Sequence, residues 1–128
     1  MRRAIPIAAC FLACAVAADA GMMRMVVADV PYAHVWDAAQ RALADYPIER
    51  AMEGLIVTGW RERRPRADEA FQRMTERLTV RVEPFADRIT RITVEVEARG
   101  WRDDGWVAVQ GTETTAREVL ARIRAARG

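Results

Sequence analysis

The chain of 128 residues contains no serine, no asparagine and no lysine, and it has one histidine and two cysteines. Without serine and lysine, two of the commonest covalent nucleophiles are missing. Both cysteines, Cys10 and Cys14, fall within the first 20 residues, a segment expected to leave the mature protein, so Ser-His-Asp and Cys-His constellations are excluded. His34 alone cannot build a histidine-based zinc site, and no cysteine remains to complete one. The seven glycines are scattered at turns and form no phosphate-cradling loop. No catalytic residue, cofactor site or metal site is expected.

The opening segment has three parts. Arg2 and Arg3 form a basic start, Ala4 to Ala18 is an apolar run broken only by Pro6, and Ala18-Asp19-Ala20 places small residues at the positions a signal peptidase reads. The run is shorter than the roughly 20 apolar residues a membrane span needs. Residues 1–20 therefore read as a signal peptide, and residues 21–128 as one domain. A second processing route stays open. Ile7-Ala8-Ala9-Cys10 and Phe11-Leu12-Ala13-Cys14 both precede a cysteine as a lipoprotein signal does. Cys14 leaves the longer apolar run before it, so membrane association through lipidated Cys14 is the anchored alternative. In either case the protein is expected to be exported, and to be periplasmic or held at the membrane facing the periplasm.

Setting aside Arg2, Arg3 and Asp19 leaves 18 arginines against 17 acids, a net charge of about +1. That balance gives no basic footprint for nucleic acid. It reads as a solvated surface of interspersed charges.

The domain begins with a short alternating strand from Met22 to Val27. Asp29 and Pro31 supply a helix cap and first turn. Tyr32, Val35, Trp36, Ala39, Leu43 and Tyr46 then fall on one helical face, and Pro47 ends the helix. Two β-rich runs, Ile48 to Met52 and Leu55 to Trp60, flank a turn at Gly54. Arg61 to Asp68 is charged and aperiodic and reads as a loop. From 73 to 99 the pattern is strict: Met74, Leu78, Val80, Val82, Ile92, Val94, Val96 and Ala98 take even positions, while arginine, threonine and glutamate take odd ones. This is a long antiparallel hairpin with one dry and one wet face, closed by a turn over Pro84 to Asp87. A turn at Asp103 to Gly105, a strand from Trp106 to Gln110 and a final helix complete the chain, with Thr115 and Glu118 at capping-box spacing. The order β-α-β-β-β-β-β-α predicts an α+β fold, an antiparallel sheet with both helices packed on one face.

Carboxylates are the remaining route to chemistry. Glu95 and Glu97 lie on the exposed hairpin face among arginines, and Asp103 and Asp104 sit in a turn. Both settings favour ordinary ionised side chains. His34 lies on the polar helix face. The tryptophans are more informative, because aromatics beside arginines are enriched at contact surfaces. Trp60, Arg61, Arg63, Arg64 and Trp101 are the candidate partner-binding residues. Tyr32, Trp36, Met74 and Leu78 are the candidate lining of a ligand cavity between the first helix and the sheet.

The stretch Pro47-Ile48 through Gly54-Leu55-Ile56-Val57-Thr58, followed by the long hairpin and a final helix, resembles the helix-grip domains of the C-subunit lipoprotein of the outer-membrane β-barrel assembly machine. The resemblance covers nearly all of residues 21–128. It implies a bacterial envelope protein without enzymatic activity whose curved sheet grips a long helix. That family carries two such domains in tandem and a long N-terminal segment that contacts a partner. This sequence has room for one domain, with little between the leader and Met22, so neither a partner nor a binding residue carries over. Two functions follow as expectations: an envelope accessory protein acting through protein contacts, or a carrier of a small apolar ligand held between helix and sheet. A cavity under the first helix would favour the carrier, and a filled interface with exposed tryptophans would favour the accessory protein.

Overall fold

The computed structural model describes residues 21–110 and 113–126. The expected leader, with Cys10 and Cys14, lies outside the described residues. The elements run β1 (Met22–Ala28), α1 (Tyr32–Ala42), β2 (Ile48–Met52), β3 (Leu55–Thr58), β4 (Arg61–Arg63), β5 (Arg73–Ala86), β6 (Ile89–Arg102), β7 (Gly105–Val109) and α2 (Glu113–Ala126).

The long hairpin is the spine of the sheet. β5 and β6 pair antiparallel from Arg73 opposite Trp101 to Ala86 opposite Ile89. Each half of each spine strand then meets a different neighbour. β6 takes β1 along Ile89 to Glu95 and β7 along Ala98 to Arg102. β5 takes β3 along Thr79 to Arg81 and β4 along Met74 to Glu76. β2 closes one edge outside β3. Among the described residues the result is a seven-stranded antiparallel sheet with two helices, the expected α+β class.

The even residues of the spine form the dry face. Leu78, Val80, Ile92 and Val94 are completely buried beneath the helices. α2 lies on β6 and β1, α1 lies on β5 and β6, and the helices pack on each other. Small buried residues, Ala38, Ala39, Ala42 and Ala116, let these layers approach closely. Val35, Leu43, Val119 and Ile123 fill the space between.

Several details differ from expectation. Asp29 does not cap α1; Pro31 takes the cap position and no side chain bonds there. Asp29 instead adopts φ 63°, donates its N–H to the Arg88 carbonyl at 2.9 Å and pairs its carboxylate with Arg88 at 3.3 Å. The hairpin turn tightens to Asp87-Arg88, with Arg88 at φ 60°, because a bulge between Pro84 and Ala86 lets Pro84 remain in the strand. Thr115 is inside α2 rather than capping it, and its hydroxyl is used elsewhere. The turn at Gly54 is as expected: Glu53 and Gly54 have φ 55° and 77°, the positive pair of a type I′ hairpin. Gly54 is required there, since a Cβ would sit 2.5 Å from the Val82 carbonyl oxygen.

Candidate functional site

The expected loop from Arg61 is a strand for its first three residues. β4 pairs Arg61 with Glu76, Glu62 with Thr75 and Arg63 with Met74. Strand alternation therefore divides the candidate cluster between the two faces of the sheet. Arg61 and Arg63 turn to the helix side, whereas Trp60 and Glu62 turn to the face that neither helix covers.

The kink that makes this possible lies at Thr58-Gly59. The Thr58 hydroxyl accepts the Leu78 N–H at 2.9 Å and donates to the Gly59 carbonyl at 2.9 Å, so a side chain replaces one rung of the ladder. Gly59 donates its N–H to the Pro47 carbonyl at 2.7 Å. β3 and β4 thus run as one bent strand, with Trp60 at the bend.

On the open face, Trp60 joins Trp101 and Trp106 in an arginine-laced aromatic cluster. Trp101 and Trp106 are cross-strand partners and meet edge to face, with ring centroids 5.3 Å apart. Arg99 lies over Trp60 at 4.0 Å and over Trp106 at 5.0 Å. Arg77 lies over Trp60 at 4.7 Å, and Arg73 lies over Trp106 at 5.2 Å. Stacking of this kind stabilises by about 0.5–1 kcal/mol per pair at exposed sites. The arginines also anchor carboxylates. Arg77 donates to both Glu97 oxygens at 3.0 Å, and Arg73 donates to Glu62 at 2.8 and 3.2 Å. The Glu62 carboxyl is lowered from its ordinary range by the Arg73 hydrogen bonds. A cleft of about 480 Å³ opens beside this cluster, lined chiefly by Trp60, Glu97, Arg99, Trp106, Ala108 and Val109.

On the helix side the same residue types build a buried cluster. Arg63 donates to both oxygens of Glu69 at 2.7 Å. Its Nε lies 2.9 Å from Glu76 Oε2 without the alignment of a hydrogen bond. The Thr115 hydroxyl donates to the Glu76 carboxylate at 2.9 Å and accepts from Arg66 at 3.2 Å. Glu69 also accepts the Arg66 backbone N–H at 2.7 Å. The Arg63 hydrogen bonds pull the Glu69 carboxyl down to about 2 and raise the Arg63 guanidinium above its ordinary value. A carboxylate so strongly held is poorly matched to proton transfer at neutral pH. Glu69 fastens the 64–72 connection to Arg63 of β4, and the Thr115–Glu76 bond fastens the first turn of α2 to β5.

The remaining candidates are dispersed. Arg61 stacks over Tyr46 at 4.5 Å and pairs with Asp45 at 3.2 Å. Arg64 is exposed beside this cluster. The proposed ligand-cavity residues do not gather around one space. Met74 and Leu78 are completely buried, and Trp36 packs half-buried against the core. Tyr32 instead lines a cleft of about 340 Å³ at the Asp29–Thr90 end of the sheet, and its hydroxyl donates to the Val82 carbonyl at 2.8 Å. Glu97 is tied to Arg77, and His34 is exposed. Among the described residues, no group of three or more histidine, cysteine or acidic side chains is placed to hold a metal ion.

Sequence reasoning missed Glu76, Arg77 and Arg99 as members of these clusters, and it left Trp106, a strand-end tryptophan like Trp60 and Trp101, out of the candidate set. Glu76 carried a signal: it is a charge at an even position between Met74 and Leu78, inside an otherwise dry row. The two arginines needed the register of β5, β6 and β7. No protein-family model and no curated protein matches this chain.

Proposed function

We propose that this chain is a non-enzymatic accessory protein of the bacterial envelope, acting through protein contacts made by the open face of its sheet. The observation that carries the reading is the placement of Trp60, Trp101 and Trp106, interleaved with Arg73, Arg77 and Arg99, on the face that neither helix covers. Tryptophan and arginine are the residue types most enriched at the energetic centres of protein interfaces. The filled helix–sheet interface, with Val35, Met74 and Leu78 at zero exposure, weighs against carriage of an apolar ligand there.

Site-specific photocross-linking in cells tests the reading. A photoreactive residue replacing Ala108 or Arg81, both exposed on the open face, is expected to give discrete protein adducts. The same residue at Glu118 or Ala121, exposed on the outside of α2, is expected to give none. Adducts only from the helix positions would overturn it. Export belongs to the same proposal, through cleavage after Ala20 or lipid attachment at Cys14. The intact mass of the mature protein separates the two: a chain beginning at Gly21 excludes the anchor.

A further inference from the structure

Three arginines stack on the open-face tryptophans, and they are not equivalent. Arg73 and Arg77 each hold a carboxylate through two hydrogen bonds. Arg99 does not. Its Nε donates to the Thr75 hydroxyl at 3.3 Å, and among the described residues no carboxylate lies within ion-pair distance of it. Its guanidinium is nevertheless the most tightly framed, with Trp60 at 4.0 Å and Trp106 at 5.0 Å. Aromatic packing holds a guanidinium still while leaving its in-plane N–H groups available, the arrangement that binds a carboxylate through two parallel hydrogen bonds.

The surroundings select the ligand further. Arg99 lines the cleft of about 480 Å³, a volume within the range of small-ligand sites. Glu97, in the same lining, is already occupied by Arg77, so it does not cancel the Arg99 charge. Directly across from Arg99 in the β6–β7 register stands Ala108, whose methyl group leaves the way open from the β7 side. Among the described residues β7 pairs only with β6, so its outer edge presents unpaired backbone groups beside the cleft.

We infer that Arg99, Trp60 and Trp106 form a slot for the C-terminal carboxylate of a partner polypeptide that lies along the β7 edge. The inference rests on the open face being the contact surface and specifies what that surface recognises. An added strand supplies backbone hydrogen bonds, the terminal carboxylate meets the Arg99 fork, and an apolar last side chain packs on the indoles.

The test is a titration followed by tryptophan fluorescence. The probes are an acetylated peptide Gly-Ala-Val-Phe with a free C-terminal carboxylate, its C-terminal amide, and phenylacetate. The acid is expected to bind at least about tenfold more tightly than the amide. Arg99→Lys should lose roughly tenfold, Arg99→Gln should abolish the acid's advantage over the amide, and Arg117→Gln, exposed on the outside of α2, should change nothing. Circular dichroism of each variant confirms the fold. Equal binding of acid and amide, no binding of the acid up to about 5 mM, or an Arg99→Gln variant that still discriminates would overturn the slot. Phenylacetate binding as tightly as the peptide would overturn its assignment to a chain end. Cross-links from Ala108 and Arg81 that persist in Arg99→Gln would leave the contact face standing and remove the slot alone.

Discussion

Arginine meets glutamate on both sides of this sheet, with opposite consequences. On the helix side of the sheet, Arg63 and Glu76 expose 17% and 5% of their side chains. On the open face, Arg77 and Glu97 expose 34% and 58%. The two sites contain the same chemical groups at similar distances. The difference is solvent. The covered groups have given up most of their hydration and depend on a few protein partners, so loss of the cation strands a charge in a poorly solvated space. The exposed pair retains water as an alternative partner, so its loss costs little. The helix side therefore reads as an ionic fastening, and the open side as a surface whose charges remain free to engage something else.

The largest expected effect tests the fastening. Arg63→Ala leaves Glu69 and Glu76 without their shared cation, and urea unfolding should report a loss of about 3–5 kcal/mol. A loss below about 1 kcal/mol would erase the distinction between the two sides. Acid titration sharpens the same point. Glu69 titrates near 2 in the fold instead of at its ordinary 4.5, so its contribution to stability is present above about pH 4.5 and fades as the pH falls toward 2. The wild-type midpoint should decline through that window, and Arg63→Ala should decline less steeply.

An intermediate effect is expected at the bend that divides the faces. Thr58→Val keeps the shape but leaves the Leu78 N–H without its buried acceptor, which should cost about 1–3 kcal/mol. It should also shift the Trp60 emission, since Trp60 follows the bend. The smallest effect belongs to the open side. Arg77→Ala should cost less than about 1 kcal/mol, and the difference should shrink as salt is added.

How far the sequence carried depends on which kind of information each feature needs. The spine was legible because Val80, Val82, Ile92 and Val94 alternate with charges, and period alone fixes their face. The first helix was legible from its apolar stripe, and the final helix was placed, although Thr115 lies inside it and does not cap it. The bend at Thr58-Gly59 was not, because a hydroxyl standing in for a backbone acceptor leaves no periodic trace. That omission matters: reading Arg61 to Arg63 as loop grouped Trp60 with Arg61 and Arg63, whereas a strand there sends neighbours to opposite faces. The open-face cluster was partly legible. Trp60, Trp101 and Trp106 stood out as strand-end aromatics, but only the cross-strand register brings Arg99 between Trp60 and Trp106. Glu76 could have been found, since a lone acid in a dry row demands a buried cation.

The central claim is that the open-face tryptophans serve contact while the covered cluster serves stability. The urea midpoint of Trp60→Ala/Trp106→Ala, measured beside that of Arg63→Ala, tests it most directly. The account predicts that the double tryptophan variant stays folded to the higher urea concentration. A double variant that unfolds at or below the midpoint of Arg63→Ala would contradict it, because the indoles would then be holding the domain together.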